Sequence, residues 1–314
     1  MDYLYALQCI REASPHWLNY LFVFISEFMI AGGVAVAAVI YWCVDKHAGI
    51  SVILSYAFSF TLNQTVKNIA CVYRPWLRDP RLHVAPEAAA SATGYSFPSG
   101  HTVTAASILG GISVWKRDSR RTAAFLSLLI LLTAFSRNWL GAHTIADVVT
   151  ALFVAAAGIL AVNCTLHHVN KNPGKDTAVF AAGTVVSVIL LIFLTLKKYP
   201  ADYTPDGKII ADPYNMLTDC YTACGLLCGT LAGWWTERRF VNFTADGTAG
   251  RKILRGAAGI VMLAVLYAGS GPVLSFCGGH ISHLIKYFVI AFFVTCGYPA
   301  LAKAVENKSG KNPR

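Results

Sequence analysis

Residues 177–196, TAVFAAGTVVSVILLIFLTL, run for 20 positions without a charge, between Lys175-Asp176 and Lys197-Lys198. Coiled as a helix, such a run is about 30 Å long, the thickness of the hydrocarbon core of a bilayer. A water-soluble helix of that length needs a polar face, and this one offers only Thr and Ser. It reads as a membrane span. Similar runs recur on either side, at 20–42, 48–66, 99–115, 122–138, 143–166, 214–235, 255–274 and 284–303. The expected fold class is therefore all-α, a polytopic transmembrane helical bundle of about nine spans.

The composition agrees. Hydrophobic residues make up 55% of the 314 and charged residues only 13%, where a soluble domain carries about 25%. Disorder, a disulfide-stapled mini-domain and an ordinary cytosolic enzyme are all excluded. The cysteines are scattered, several of them inside apolar runs (Cys43, Cys164, Cys224, Cys296), and form no CxxC pair. They indicate neither a metal site nor a disulfide framework. Cys220, Cys224 and Cys228 share one face of the 214–235 span and read as small packing residues. His280 and His283 are two potential ligands without partners, a poor metal site. Met1 to Pro15 is too polar for a cleavable signal peptide.

The net charge of +10 is a topology signal before it is a nucleic-acid signal. With alternating loops, 16 of the 26 Lys and Arg fall on one side of the membrane and 10 on the other. The richer side is expected to be cytoplasmic, which puts the N-terminus outside and the C-terminus inside. No nucleic-acid partner is implied. The longest polar stretch, Lys67 to Pro98, reads as a functional loop without regular structure of its own. A second polar loop, 197–213, carries a turn signal at Asp206-Gly207.

Three polar clusters sit at helix ends. In the first, Lys67 and Arg74-Pro75 lie two helical turns apart, and the proline ends the second span. Alone they would pass for interfacial anchors. The second, Pro98-Ser99-Gly100-His101, opens the third span with an N-cap Ser, a Gly that admits close backbone approach, and a His. Exposed N–H groups there form an anion site. In the third, Ser136-Arg137 precedes His143 and Asp147, spaced i, i+4 and expected on one face of the fifth helix. A carboxylate on one imidazole nitrogen leaves the other aimed and basic. No span separates the first two clusters and two spans separate the second from the third, so all three reach one membrane face. Three cations and two histidines gathered there call for an anion, and a phosphate group suits them.

Lys67-x6-Arg74-Pro75, Pro98-Ser99-Gly100-His101 and Ser136-Arg137-x5-His143-x3-Asp147 resemble the three-part signature of the type 2 phosphatidic acid phosphatase (PAP2) superfamily, without departure at any fixed position. The order of spans around the motifs is similar to that of glucose-6-phosphatase and sphingosine-1-phosphate phosphatase. The resemblance implies a six-helix catalytic membrane core over 20–196, preceded by a short amphipathic or irregular lead-in (1–19). Residues 197–314 would supply additional transmembrane helices and a basic cytoplasmic tail.

It also implies a mechanism. His143 attacks phosphorus, Asp147 orients it, and His101 protonates the leaving group and then activates water. Lys67, Arg74, Ser99, Gly100 and Arg137 hold the phosphate. No cofactor and no metal are implied, because three cations neutralise the charge and no carboxylate cluster is present. The implied substrate is a membrane lipid bearing phosphate or pyrophosphate: undecaprenyl or another isoprenyl pyrophosphate, a phosphatidate-type lipid, or a sphingoid phosphate. A sugar phosphate such as glucose 6-phosphate is the alternative. A non-catalytic lipid-phosphate binding or transport protein is the alternative of another class. The protein is expected to be multi-pass in a bacterial inner membrane with its site facing out, or in the endoplasmic reticulum of a eukaryote with its site facing the lumen.

Overall fold

The computed structural model describes residues 1–172, 174–203, 207 and 209–310, with only the backbone of 275 and 308–310. Among these residues every regular element is helical, apart from an isolated bridge between Tyr203 and Ile209. Asp206 lies outside the described residues, and with it the turn expected there; so do Lys208, Lys311 and Arg314 from the charge count.

The chain enters through α1 (Asp2–Glu12) and α2 (Trp17–Val39), which widens into a π turn at Ile40–Val44. Next come α3 (Lys46–Ala70), the short α4 (Pro75–Arg78), α5 (Gly100–Trp115), α6 (Arg120–Trp139), α7 (Ile145–Lys171) and α8 (Lys175–Leu196). The second half holds α9 (Pro213–Thr236), α10 (Ala249–Leu274), α11 (Gly279–Phe292) and α12 (Tyr298–Gly310). Each apolar run expected from the sequence is a helix.

Helix α3 is the hub, packed on α5, α7 and α9, while α2 and α6 close around α5 and α8 lies on α9. Among the described residues six spans are long and apolar enough to cross a membrane: Trp17–Val44, Arg120–Trp139, Ile145–Lys171, Lys175–Leu196, Ala249–Leu274 and Gly279–Asn307. Helices α3, α5 and α9 do not meet that measure, so the expected count of nine is not established by it. The reason is instructive. Helix α3 buries Ser55, Ser59, Thr61, Asn63, Gln64, Thr65, Lys67 and Asn68 against protein. The helices α8 and α10 bury only 11% of their most apolar window. Helix α3 therefore loses apolar character to the polar side chains it turns into the protein, while α5, at 16 residues, is simply short.

The lead-in takes the amphipathic of its two expected forms, and one loop expectation is corrected. The lead-in contains a regular helix, α1, docked by Arg11, whose guanidinium donates to Trp139 O (3.0 Å) and His83 O (2.8 Å). The stretch 67–98 is not devoid of regular structure: it holds α4 and a 3₁₀ turn at Pro86–Ser91.

Candidate active site

Helix α3 stops at Cys71, whose left-handed backbone (φ 48°) turns the chain away. That leaves Lys67 buried in the last turn, its Nζ donating to Tyr95 O (3.0 Å) and Pro98 O (2.9 Å). Lys67 thus pins the segment that leads into α5. Arg74 is extended, as a residue before proline must be, and caps α4. Its guanidinium donates to Gly94 O (3.1 Å), Thr93 O (2.6 Å) and Ala142 O (3.0 Å).

Ser99 is the N-cap of α5, accepting from Thr102 N (3.4 Å) and Thr102 Oγ1 (3.0 Å). Its own N–H donates to Asp147 O at 3.1 Å, which ties α5 to α7. A Cβ placed on Gly100 would meet nothing within 4 Å, so free space adjoins the start of this helix.

Arg137 occupies the last turn of α6 and is fully buried. Its carbonyl accepts from Ala142 N (3.0 Å) and His143 N (3.1 Å), which closes the tight turn between the two motif halves. Nη1 donates to Ser26 Oγ (3.2 Å), while Nε and Nη2 have no partner. Two buried, unanswered guanidinium donors cost free energy unless a ligand satisfies them.

His143 and Asp147 do not share a helical face, contrary to the expectation. Helix α7 begins after Thr144, which caps it in a reciprocal capping box with Asp147, and His143 precedes the cap. The two still meet, His143 Nδ1 lying 3.4 Å from Asp147 Oδ2, because the turn folds the ring back over the helix start. Asp147 Oδ2 also accepts from Ser96 Oγ (2.5 Å) and Thr144 N (2.7 Å). Asn138 Nδ2 holds the His143 carbonyl at 2.8 Å.

The tautomer of His143 follows from its other neighbour. Arg74 Nη1 stands 3.0 Å from His143 Nε2, and a guanidinium can only donate. Nε2 therefore carries the lone pair and Nδ1 the proton, facing Asp147. Burial, then the positive charge of Arg74, holds the His143 pKa well below the ordinary imidazole range, with Asp147 opposing and Arg137 and Lys67 reinforcing. The ring is neutral at pH 7. Burial, and then Arg137, lowers Arg74 to about 9, so its guanidinium keeps its charge at that pH.

His101, in the first turn of α5, points Nε2 at Glu27 Oε1 of α2, 2.9 Å away. The structure thus gathers Lys67, Arg74, Ser99, Gly100, His101, Arg137, His143 and Asp147 at one end of the bundle. It adds Glu27, Ser26, Ser96 and Asn138, which the sequence reading missed. Glu27 carried a signal, being the one charged residue in the 20–42 span, where an ionisable side chain is functional by default. Ser96 carried none.

The other singled-out residues lie elsewhere. Cys220 and Cys224 are buried in the α9 packing. His280 and His283 each pair with a threonine of α9, Thr218 (2.8 Å) and Thr222 (3.5 Å). Arg81 pairs with Asp79 and Asp2 at the surface. Among the described residues no group of three or more His, Cys, Asp or Glu could hold a metal ion.

Two family models match the chain. The PAP2 superfamily covers residues 48–171, and the PAP2 superfamily phosphatase transmembrane extension covers 221–309. No curated protein and no solved structure matches.

Proposed function

Since the chain belongs to the PAP2 superfamily and is a multi-pass membrane phosphatase of that kind, we propose that it hydrolyses a phosphorylated lipid through a phosphohistidine on His143. The observation that carries this reading is the His143 ring. Its Nδ1 is held by Asp147, and its Nε2 lone pair points at the guanidinium of Arg74. A phosphoryl group entering there meets a neutral nucleophile and the two open donors of Arg137. Lys67, already fixed by carbonyls, adds charge without moving, and Arg74 yields the Nε2 lone pair to phosphorus while its bonds to the carbonyls of Gly94, Thr93 and Ala142 keep its charge beside the group.

The first half-reaction joins Nε2 to phosphorus as the P–O bond to the alcohol breaks and His101 gives that oxygen a proton. In the second, water adds to phosphorus, His101 takes its proton, and the P–N electron pair returns to His143. Three cations offset the phosphate charge, and turnover is expected to continue in excess chelator.

The approach favours a lipid over a sugar phosphate. Ser26 and Glu27 lie about 15 Å along α2 from its first residue, Trp17, so α2 extends past the site and forms one of its walls. On α2 the exposed rings of Phe24 and Phe28 stack beside Glu27, at 62% and 52% exposure, an apolar approach that an acyl or isoprenyl chain can follow. The positive-inside count supports a site facing away from the cytoplasm.

The test is inorganic phosphate release by detergent-purified protein in EDTA, on undecaprenyl pyrophosphate, phosphatidate, sphingosine 1-phosphate and glucose 6-phosphate. Turnover of one lipid, abolished in His143→Ala, supports the reading. Turnover of glucose 6-phosphate alone, or of nothing by folded wild type, overturns it.

A further inference from the structure

Both site histidines are paired with a carboxylate, but through opposite ring nitrogens. Asp147 holds Nδ1 of His143, which leaves Nε2 for phosphorus. Glu27 holds Nε2 of His101 at 2.9 Å, which leaves Nδ1 as the nitrogen able to exchange a proton with the reacting group. Glu27 sits on α2, outside the 48–171 match, so no motif of the family model includes it. The other charges acting on the Glu27–His101 pair are the guanidiniums of Arg137 from α6 and Arg74 from the start of α4. They disfavour a positive imidazole, and Glu27 is the negative charge beside it.

We propose that Glu27 is the positioning residue for His101: it keeps the proton on Nε2, so that Nδ1 alone delivers and retrieves the working proton, and it offsets the imidazolium charge. The inference rests on the phosphohistidine reading above. With a phosphate group bound against Arg137 and Arg74, His101 takes up a proton and becomes an imidazolium ion-paired with Glu27. As the P–O bond breaks, its electron pair goes to the leaving oxygen, which takes the Nδ1 proton, and His101 becomes neutral with Nε2–H still on Glu27. Water then yields a proton to Nδ1 while its oxygen bonds phosphorus, and the imidazolium is restored. Glu27 remains a carboxylate throughout.

A leaving group that needs no proton bypasses Glu27 in the first half-reaction. The experiment compares kcat/KM of wild type, Glu27→Gln and Glu27→Asp in detergent on p-nitrophenyl phosphate and on a long-chain alkyl phosphate. It also measures acid-labile phosphate on His143. For Glu27→Gln, kcat/KM on the alkyl phosphate is expected to fall roughly 10²-fold, the scale of general acid catalysis. On p-nitrophenyl phosphate it changes by less than about 3-fold, while phosphohistidine accumulates because the second half-reaction still needs His101 as base. Glu27→Asp, which keeps the carboxylate, restores part of the alkyl phosphate rate. Equal losses on both substrates, or no loss on either, overturn the proposal. Wild type that never labels on His143 overturns the underlying mechanism instead, so the two failures are separable.

Discussion

The two halves of the molecule are held together by opposite means. Around α3, α5, α6 and α7 the middles pack through apolar side chains but the ends are tied by polar ones: buried Lys67, Arg74, Arg137 and Asp147 act through carbonyls, a hydroxyl and a cap. Between α9 and α11 the contacts are backbone against backbone. Gly225 and Gly229 of α9 face Leu284 O and Phe288 O of α11, where a Cβ would stand only 2.3 Å away, and Gly233 faces Thr295. In lipid, where apolar burial drives little association, close approach of small residues is what joins helices. One half spends its polarity on holding a site, and the other packs chiefly by shape, with the Thr218–His280 and Thr222–His283 pairs at one end of the seam. The halves meet at Lys67, which interacts electrostatically with Asp219 of α9.

This contrast predicts that substitutions in the first half lose catalysis and those in the second lose stability. The largest effect is expected for His143→Ala, a drop of at least ~10⁴-fold in phosphate release, because no nucleophile remains. Arg137→Ala comes next. It removes two donors with no other duty, so kcat/KM falls on the order of 10²–10³-fold. Thermal unfolding in detergent should shift far less than for a residue with a full set of partners, and a matching collapse of Tm would break the distinction.

Gly229→Val tests the other half. Its Cβ meets the Phe288 carbonyl, and the overpacking should cost about 1–3 kcal/mol, read as a lower Tm with kcat of the folded fraction unchanged. Loss of kcat at unchanged Tm would show that the extension acts directly in turnover. The smallest effect concerns pH. Since His143 is neutral well below its usual range, its protonation does not limit kcat/KM between pH 6 and 8. Arg74→Gln removes the cation that follows burial among the causes, so the acid limb moves to higher pH, on top of any loss of rate. An acid limb that stays in place, measured on a substrate of fixed charge, would separate Arg74 from the histidine.

The helices and the site were legible for different reasons. Bilayer thickness sets the length of a span, so runs such as 177–196 fixed α8 almost to the residue. Phosphate chemistry limits which side chains serve, and all eight expected site residues converge. What stayed hidden depends on a partner distant in sequence or on a turn. The glycines at 225, 229 and 233 carry no mark of the helix beside them, and only the fold shows α11 against the first two. The helix-like spacing of His143 and Asp147 concealed a capping box, because an i, i+4 contact also arises when residue i lies just outside the helix. Arg11 reads as one more flanking charge, and only the fold reveals its two carbonyls 72 and 128 positions away.

A single oxygen, Asp147 Oδ2, serves three masters: the ring of His143, the hydroxyl of Ser96 and the first amide of the α7 cap. The nucleophile is thereby registered to the end of a 27-residue rod instead of to the loop that carries it. When α7 tilts or slides in a bilayer of changing thickness, ring, carboxylate and cap travel as one body. The alignment of the attacking nitrogen with its carboxylate is thereby insulated from membrane strain.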